Sequence, residues 1–200
     1  MKRLLTSLIL LGAFSHATPA LADSALYAPC ASCHGDRAQG MEVLFAPPLA
    51  GQNAAYLAEQ LHNYRSGARG THPDDVHGQV MAANAMPLTD QDIHKLAAHL
   101  AGLDPRRTEP APGDAENGQR LYADHCLACH GVNGEGVPPL YSANLRILGA
   151  AYISRQWDAY RKGWRGDGQT GTTRSKSMRS IVPQLNSDSE LEDLIAYLTR

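Results

Sequence analysis

The sequence has no apolar run long enough to cross a bilayer: its one such stretch, Leu4 to Phe14, is about half of the roughly twenty residues a spanning helix needs. A transmembrane anchor is therefore not expected. There is no basic excess either, with 18 Lys and Arg against 20 Asp and Glu, so the electrostatic footprint of a nucleic-acid binder is missing. No alternating apolar and polar stretch reaches useful strand length. Aromatic residues make up only 6%, so a domain of under about 90 residues built from this composition has a marginal core unless something large fills it.

The first residues carry the marks of a secretory signal. Met1-Lys2-Arg3 is a charged start, Leu4 to Phe14 an apolar stretch, and Ala20-Leu21-Ala22 an A-x-A cleavage site. Cleavage after Ala22 would leave a chain starting at Asp23, free in the periplasm or loosely associated with a membrane. It removes two basic residues and no acidic one, which takes the formal charge from −2 to −4.

The chain repeats itself. A shift of 96 places superimposes Cys30 on Cys126, Cys33 on Cys129, His34 on His130, Tyr56 on Tyr152, Gln60 on Gln156, Tyr64 on Tyr160, Arg65 on Arg161 and Arg69 on Arg165. The offset grows to 97 at Met81 and Met178, and to 98 at Leu96 and Leu194. A register kept over some forty residues marks a duplicated domain. The expected organisation is a signal peptide over 1–22, a first domain over 23–103, a linker over 104–113 and a second domain over 114–200. The linker holds Pro105, Pro110, Pro112 and Gly113, which disfavour helix and sheet alike.

Each copy reads as helices, giving an all-α fold class. Thr89 with Asp92, and Ser187 with Glu190, cap last helices whose apolar residues recur at helical spacing. Middle helices are predicted over about Tyr56–Arg65 and Tyr152–Arg161, ended by Gly67 and Gly163. A helix also leads into each cysteine motif, capped in the second copy by Asp114.

The four cysteines stand in two motifs, Cys30-Ala31-Ser32-Cys33-His34 and Cys126-Leu127-Ala128-Cys129-His130. In C-x-x-C-H, two thiols one helical turn apart can add to the vinyl groups on one porphyrin edge, while the next residue brings an imidazole to the iron. Two such motifs in register predict two covalently bound haem c groups. The alternatives are disulfides, a redox dithiol, which wants a strand and helix scaffold, and zinc, whose paired C-x-x-C motifs usually lie about 15 to 20 residues apart.

With His34 and His130 each giving one axial bond, the other face of each iron needs a ligand. Met81 and Met178 sit seven residues before the matched Leu88 and Leu185, in loops that introduce the last helix, and a thioether is a soft neutral ligand that raises the potential. Met86, in a Met-Pro pair, competes with Met81; register favours Met81. His72 and His77 are further candidates without counterparts in the second copy. Tyr56, Tyr64, Tyr152, Trp157 and Tyr160 are spaced to pack on a flat cofactor or in an ordinary core. Arg65 and Arg161 could pair with haem propionates or be solvated at helix ends.

On the paired C-x-x-C-H-G motifs, Leu49-Ala50-Gly51-Gln52, Tyr64-Arg65-x-Gly67 and the two methionine segments, the chain resembles the cytochrome c4 family over its whole length after the signal. The second copy departs in having Ile147-Leu148-Gly149 where the Gly-Gln pair would recur. The resemblance implies two tandem class I cytochrome c domains related by pseudo-twofold symmetry. It also implies an electron carrier, not an enzyme, that takes single electrons from a quinol-oxidising complex or another cytochrome towards a terminal oxidase. The alternatives are the cytochrome subunit of a flavocytochrome c sulfide dehydrogenase, or a dihaem enzyme such as a peroxidase or thiosulfate dehydrogenase, which needs an open iron site. Finally, Arg161, Lys162, Arg165, Arg174, Lys176 and Arg179 surround Met178 with only Asp167 among them. This stretch predicts a basic docking patch for an acidic partner.

Overall fold

The computed structural model describes the backbone of residues 19–200, with side chains from Ala25 onward. The charged and apolar stretch of the expected signal lies outside the described residues.

The duplication seen in the sequence is repeated in the helices. α1 (Pro19–His34) carries the first cysteine motif, and α5 (Ala115–His125) with α6 (Leu127–His130) carries the second. α2 (Ala54–Arg65) matches α7 (Ala150–Arg161), and α4 (Asp90–Ala101) matches α9 (Asp188–Leu198). The middle helices start two residues earlier than expected. Among the described residues the only β pairing is an isolated bridge between Met41 and Ala46, so the fold is all-α.

Helix ends follow from local chemistry. The Thr89 hydroxyl accepts the Asp92 N–H and the Asp92 carboxylate accepts the Thr89 N–H, a complete capping box. The box expected at Ser187 is half made: Ser187 accepts from the Glu190 N–H, but the Glu190 carboxylate reaches the N–H of Asn186 instead. Asp114 caps α5 through the N–H groups of Glu116 and Asn117.

The methionine segments are not loops but helices, α3 (Val76–Ala85) and α8 (Thr173–Ile181), nucleated by Asp75 accepting from Gly78 and by Thr172 accepting from Ser175. Their first residues are 97 apart, the same offset as Met81 and Met178, so each methionine occupies the sixth position of its helix.

The first core gathers Tyr27, Leu57, Ile93, Leu96 and Leu100. The second divides between Trp157, Tyr160 and Ile195 on one side and Tyr122, Leu194 and Leu198 on the other. The linker is fastened to the second copy: the Ala111 N–H donates to the Thr199 hydroxyl at 2.9 Å, and the Thr108 hydroxyl reaches the Arg146 carbonyl. Between the copies, Gln52 donates to the Asn144 carbonyl at 3.0 Å and accepts the Asn144 N–H at 2.6 Å. In the second copy its place is taken by the buried Leu148, so this contact has no symmetric twin.

Candidate haem sites

Each motif histidine is held the same way. His34 Nδ1 lies 2.8 Å from the Pro47 carbonyl oxygen and His130 Nδ1 lies 3.1 Å from that of Ala143, thirteen residues on in both cases. With Nδ1–H donating to a carbonyl, the tautomer leaves the Nε2 lone pair free for a metal. Burial lowers the affinity of both imidazoles for a second proton, against a smaller opposing effect of the carbonyl, so both stay neutral. The loop after each motif is pinned by a tyrosine: Tyr27 donates to the Gly35 carbonyl at 2.6 Å and Tyr122 to that of Gly131 at 2.5 Å.

No disulfide joins any of the four cysteines. Cys33 and Cys129 are exposed, while burial, then the neighbouring Cys129, pushes the Cys126 thiol up to about 12, and the same effects raise Cys30. A redox dithiol needs the opposite shift. Among the described residues no three His, Cys, Asp or Glu side chains gather into a metal-ion cluster.

In the second copy His130, Cys126, Cys129 and Met178 line one cavity of about 450 Å³ with a largely apolar wall. Trp157 and Tyr160 form part of that wall, and Tyr56, Glu59 and Gln60 reach into it from the first copy. In the first copy Met81 is half-buried, whereas Met86 is 68% exposed.

Two arginines matched in the repeat, Arg69 and Arg165, dominate the interface, a place that the sequence did not predict for either. Arg69 and Arg165 are each only 6% exposed. Arg69 donates to Gln60 of its own copy at 2.8 Å and to Gln156 of the other at 2.7 Å, with Tyr152 Oη at 3.4 Å. Arg165 repeats this with Gln156 and Gln60, both at 2.8 Å, and Tyr56 Oη at 3.4 Å. Each guanidinium also stacks on a tyrosine of its own copy, Arg69 on Tyr64 and Arg165 on Tyr160. Every side-chain acceptor in this network is neutral, and Arg165 Nε is buried without a partner. Two buried cations with no counter-charge are costly.

The other basic residues are placed differently from expectation. Arg65 bonds the Leu88 carbonyl and the Asp90 carboxylate, and Arg161 bonds Asp188 and Asp158. Both clamp the start of a last helix. Of the six residues of the basic docking patch, Arg165 is buried, Arg161 is paired and Arg174 forms an ion pair with Glu59 at 2.8 Å, while Lys162, Lys176 and Arg179 are exposed. His72 lies against Trp164 of the second copy and His77 against Phe45.

A neutral imidazole with a free Nε2, a C-x-x-C pair on the same wall, an apolar cavity and a cation with an orphaned N–H fit a haem and its two carboxylates. Fold and sites together define a two-domain c-type cytochrome. The cytochrome c family model matches residues 24–104 and again 115–200. Cytochrome c4 of Azotobacter vinelandii is 31% identical over 98% of this chain and 97% of its own. A thiosulfate dehydrogenase electron acceptor of Stutzerimonas stutzeri (strain A1501) is 34% identical over 84% of this chain and 76% of its own. The crystal structure of reduced recombinant cytochrome c4 from Pseudomonas stutzeri superimposes with a TM-score of 0.71 and 28% identity, covering 90% of this chain and 97% of that one.

The chain belongs to the cytochrome c4 family. It is a dihaem electron carrier with two covalently attached haem c groups, and its partners are redox proteins.

Proposed function

We propose that the chain is an exported shuttle carrying single electrons from a quinol-oxidising complex or another cytochrome towards a terminal oxidase. Cys30 and Cys33 attach the first haem and Cys126 and Cys129 the second. His34 with Met81, and His130 with Met178, would hold the two irons. The observation that carries this reading is the repetition of one site twice in register, with the two copies joined through the Arg69 and Arg165 network.

A haem bound in each site would supply one-electron redox chemistry. The protein does the rest. The carbonyls of Pro47 and Ala143 fix the imidazoles in the ligating tautomer. Met81 and Met178 offer soft neutral donors that favour the reduced iron. Arg69 and Arg165 supply buried positive charge for the haem carboxylates. A methionine candidate in each copy leaves no open position for substrate, which supports a carrier over an enzyme.

The oxidase end of the route is supported by a Rhizobium leguminosarum relative, named as a cbb3-type cytochrome c oxidase subunit, 31% identical over 81% of this chain. A second reading, in which the electrons come from a thiosulfate dehydrogenase, is supported by the relatives from Stutzerimonas stutzeri (strain A1501) and Thiomonas intermedia named as electron acceptors of that enzyme.

Intact mass after expression with a haem-maturation system should equal residues 23–200 plus two haems, which also tests export with cleavage after Ala22. A mass with one haem, or with two disulfides and no haem, overturns the reading. Stopped-flow mixing of the reduced protein with oxidase, and of the oxidised protein with quinol-oxidising complex or thiosulfate dehydrogenase, identifies the route.

A further inference from the structure

The helix that carries Met178 is held to the opposite copy in a way that its counterpart is not. No residue of α8 is buried, whereas α3 buries Gly78 and Ala85. Met178 itself is half-buried, packed at the edge of the Trp157 and Tyr160 cluster. Within its own copy, α8 is capped by Thr172, and Lys176 donates to the Gly168 carbonyl at 3.1 Å from an exposed position.

A stronger tie crosses the interface. Arg174 donates to the Glu59 carboxylate on α2 of the first copy at 2.8 Å, and among the described residues this is the one ion pair between the copies. The Glu59 side chain is only 12% exposed, which strengthens a charge-assisted bond. Glu59, Tyr141, Arg174 and Met178 line the same cavity as His130. Arg174 precedes Met178 by four residues, so the two side chains lie on one face of α8 a turn apart. The Arg174 guanidinium also stands over the Tyr141 ring at 4.1 Å. One side chain thus bridges α8, the loop after His130 and α2 of the other copy. The first copy does not repeat this. His77 occupies the position of Arg174, its ring 4.9 Å from that of Phe45 in its own copy. Gln79 fastens α3 to the carbonyls of His72 and Pro73 at 2.9 and 2.8 Å, again within its own copy.

We propose that Glu59 is a positioning residue for the second site: by holding Arg174 it keeps α8 against the cavity and Met178 at the cavity wall, so that the first copy completes the ligand set of the second. The inference rests on the reading of Met178 as a ligand. A short helix with no buried residue gains little from packing, so its held and released positions differ little in free energy. A bond made only in the held position then shifts that balance by its full worth. Glu59 acts through Arg174, not by contact with the iron.

The test uses the full ferric holoprotein, as the parent and as Glu59→Gln, Arg174→Gln and the double variant. The near-infrared sulfur-to-iron band should lose about half its intensity in Met178→Leu; a band left intact overturns the ligand reading and this inference with it. Imidazole, which competes with a thioether for ferric iron, is then titrated, with the two haems followed separately by their haem-methyl NMR signals, assigned with Met178→Leu. Glu59→Gln should raise the imidazole affinity of the second haem about tenfold, the shift that loss of one charge-assisted bond allows, and leave the first at the parent value. Arg174 is exposed, so Arg174→Gln gives the same reading should Glu59→Gln fail to take up both haems. The double variant should match Arg174→Gln, because Glu59 then has nothing to hold. A general loosening of the fold would move both haems. Parent-like affinity in the Gln variants, equal rises at both haems, or a double variant that binds imidazole a further tenfold tighter than Arg174→Gln overturns the proposal.

Discussion

Arg165 of the second copy donates to Gln60 of the first at 2.8 Å, and the same Gln60 oxygen also accepts from Arg69. One neutral amide therefore serves two buried cations. Gln60→Ala should cost about 2–3 kcal/mol, since bonds to charged groups contribute about 1.5–3 kcal/mol and the stranded donors stay buried. Denaturant unfolding of the oxidised holoprotein measures this. A loss below about 1 kcal/mol would show that water replaces the amide without penalty.

The ligand assignment in the first copy separates two methionines five residues apart. Met81 shares its helix position with Met178, while Met86 lies beyond α3 and is 68% exposed. Met81→Leu should remove about half of the near-infrared sulfur-to-iron band of the ferric protein and lower one potential. Met86→Leu should leave both unchanged. The reverse pattern would reassign the ligand.

Gly118 lies where α5 crosses α9. A Cβ there would stand 2.5 Å from the Asp193 carbonyl carbon and closer still to its oxygen, and backbone cannot yield as a flexible side chain does. In an open helix Gly→Ala gains about 1 kcal/mol. Here the crowding reverses the sign, and Gly118→Ala should lose about 2 kcal/mol, or about 4–8 °C in Tm for a chain of this size. A calorimetric Tm equal to or above the parent's would show that the crossing can open.

Asp167 sits in the turn that leads to α8. The Thr170 hydroxyl, then the N–H groups of Thr170 and Gln169, hold its carboxyl down at about 2. Because its folded value lies below the unfolded one near 4, the stabilisation is complete above about pH 4 and is lost as pH falls through about 2. Asp167→Asn should therefore be less stable than the parent at pH 6, with the difference closing between pH 4 and 2. A difference that stays constant across that range would point to packing instead of ionisation.

Much of this arrangement was legible in the sequence, and the reasons differ from residue to residue. Thr89, Ser187 and Asp114 announce helix starts because capping acts over three residues, within the reach of a local reading. The helices around Met81 and Met178 were not legible, since each runs through Gly78 or through polar Ser and Lys with little apolar periodicity. Arg65 and Arg69 are four residues apart with opposite fates, one clamped by Asp90 and one buried against the other copy. That choice is made by residues 25 and 87 positions away, which local spacing cannot see. The signal that would have found Arg69 and Arg165 is their repetition in register with Gln60, Gln156, Tyr56 and Tyr152.

The linker is fastened to the second copy at Thr108 and Ala111 and touches the first where Pro105 packs on Gly51. Its exposed pair, Arg106 and Arg107, is an inviting site for a trypsin-like protease. Once severed there, the molecule would stay together through the Gln52 and Asn144 bonds and the shared arginines. The product is a heterodimer of two single-haem chains, so the same device could be encoded as two separate polypeptides and still assemble.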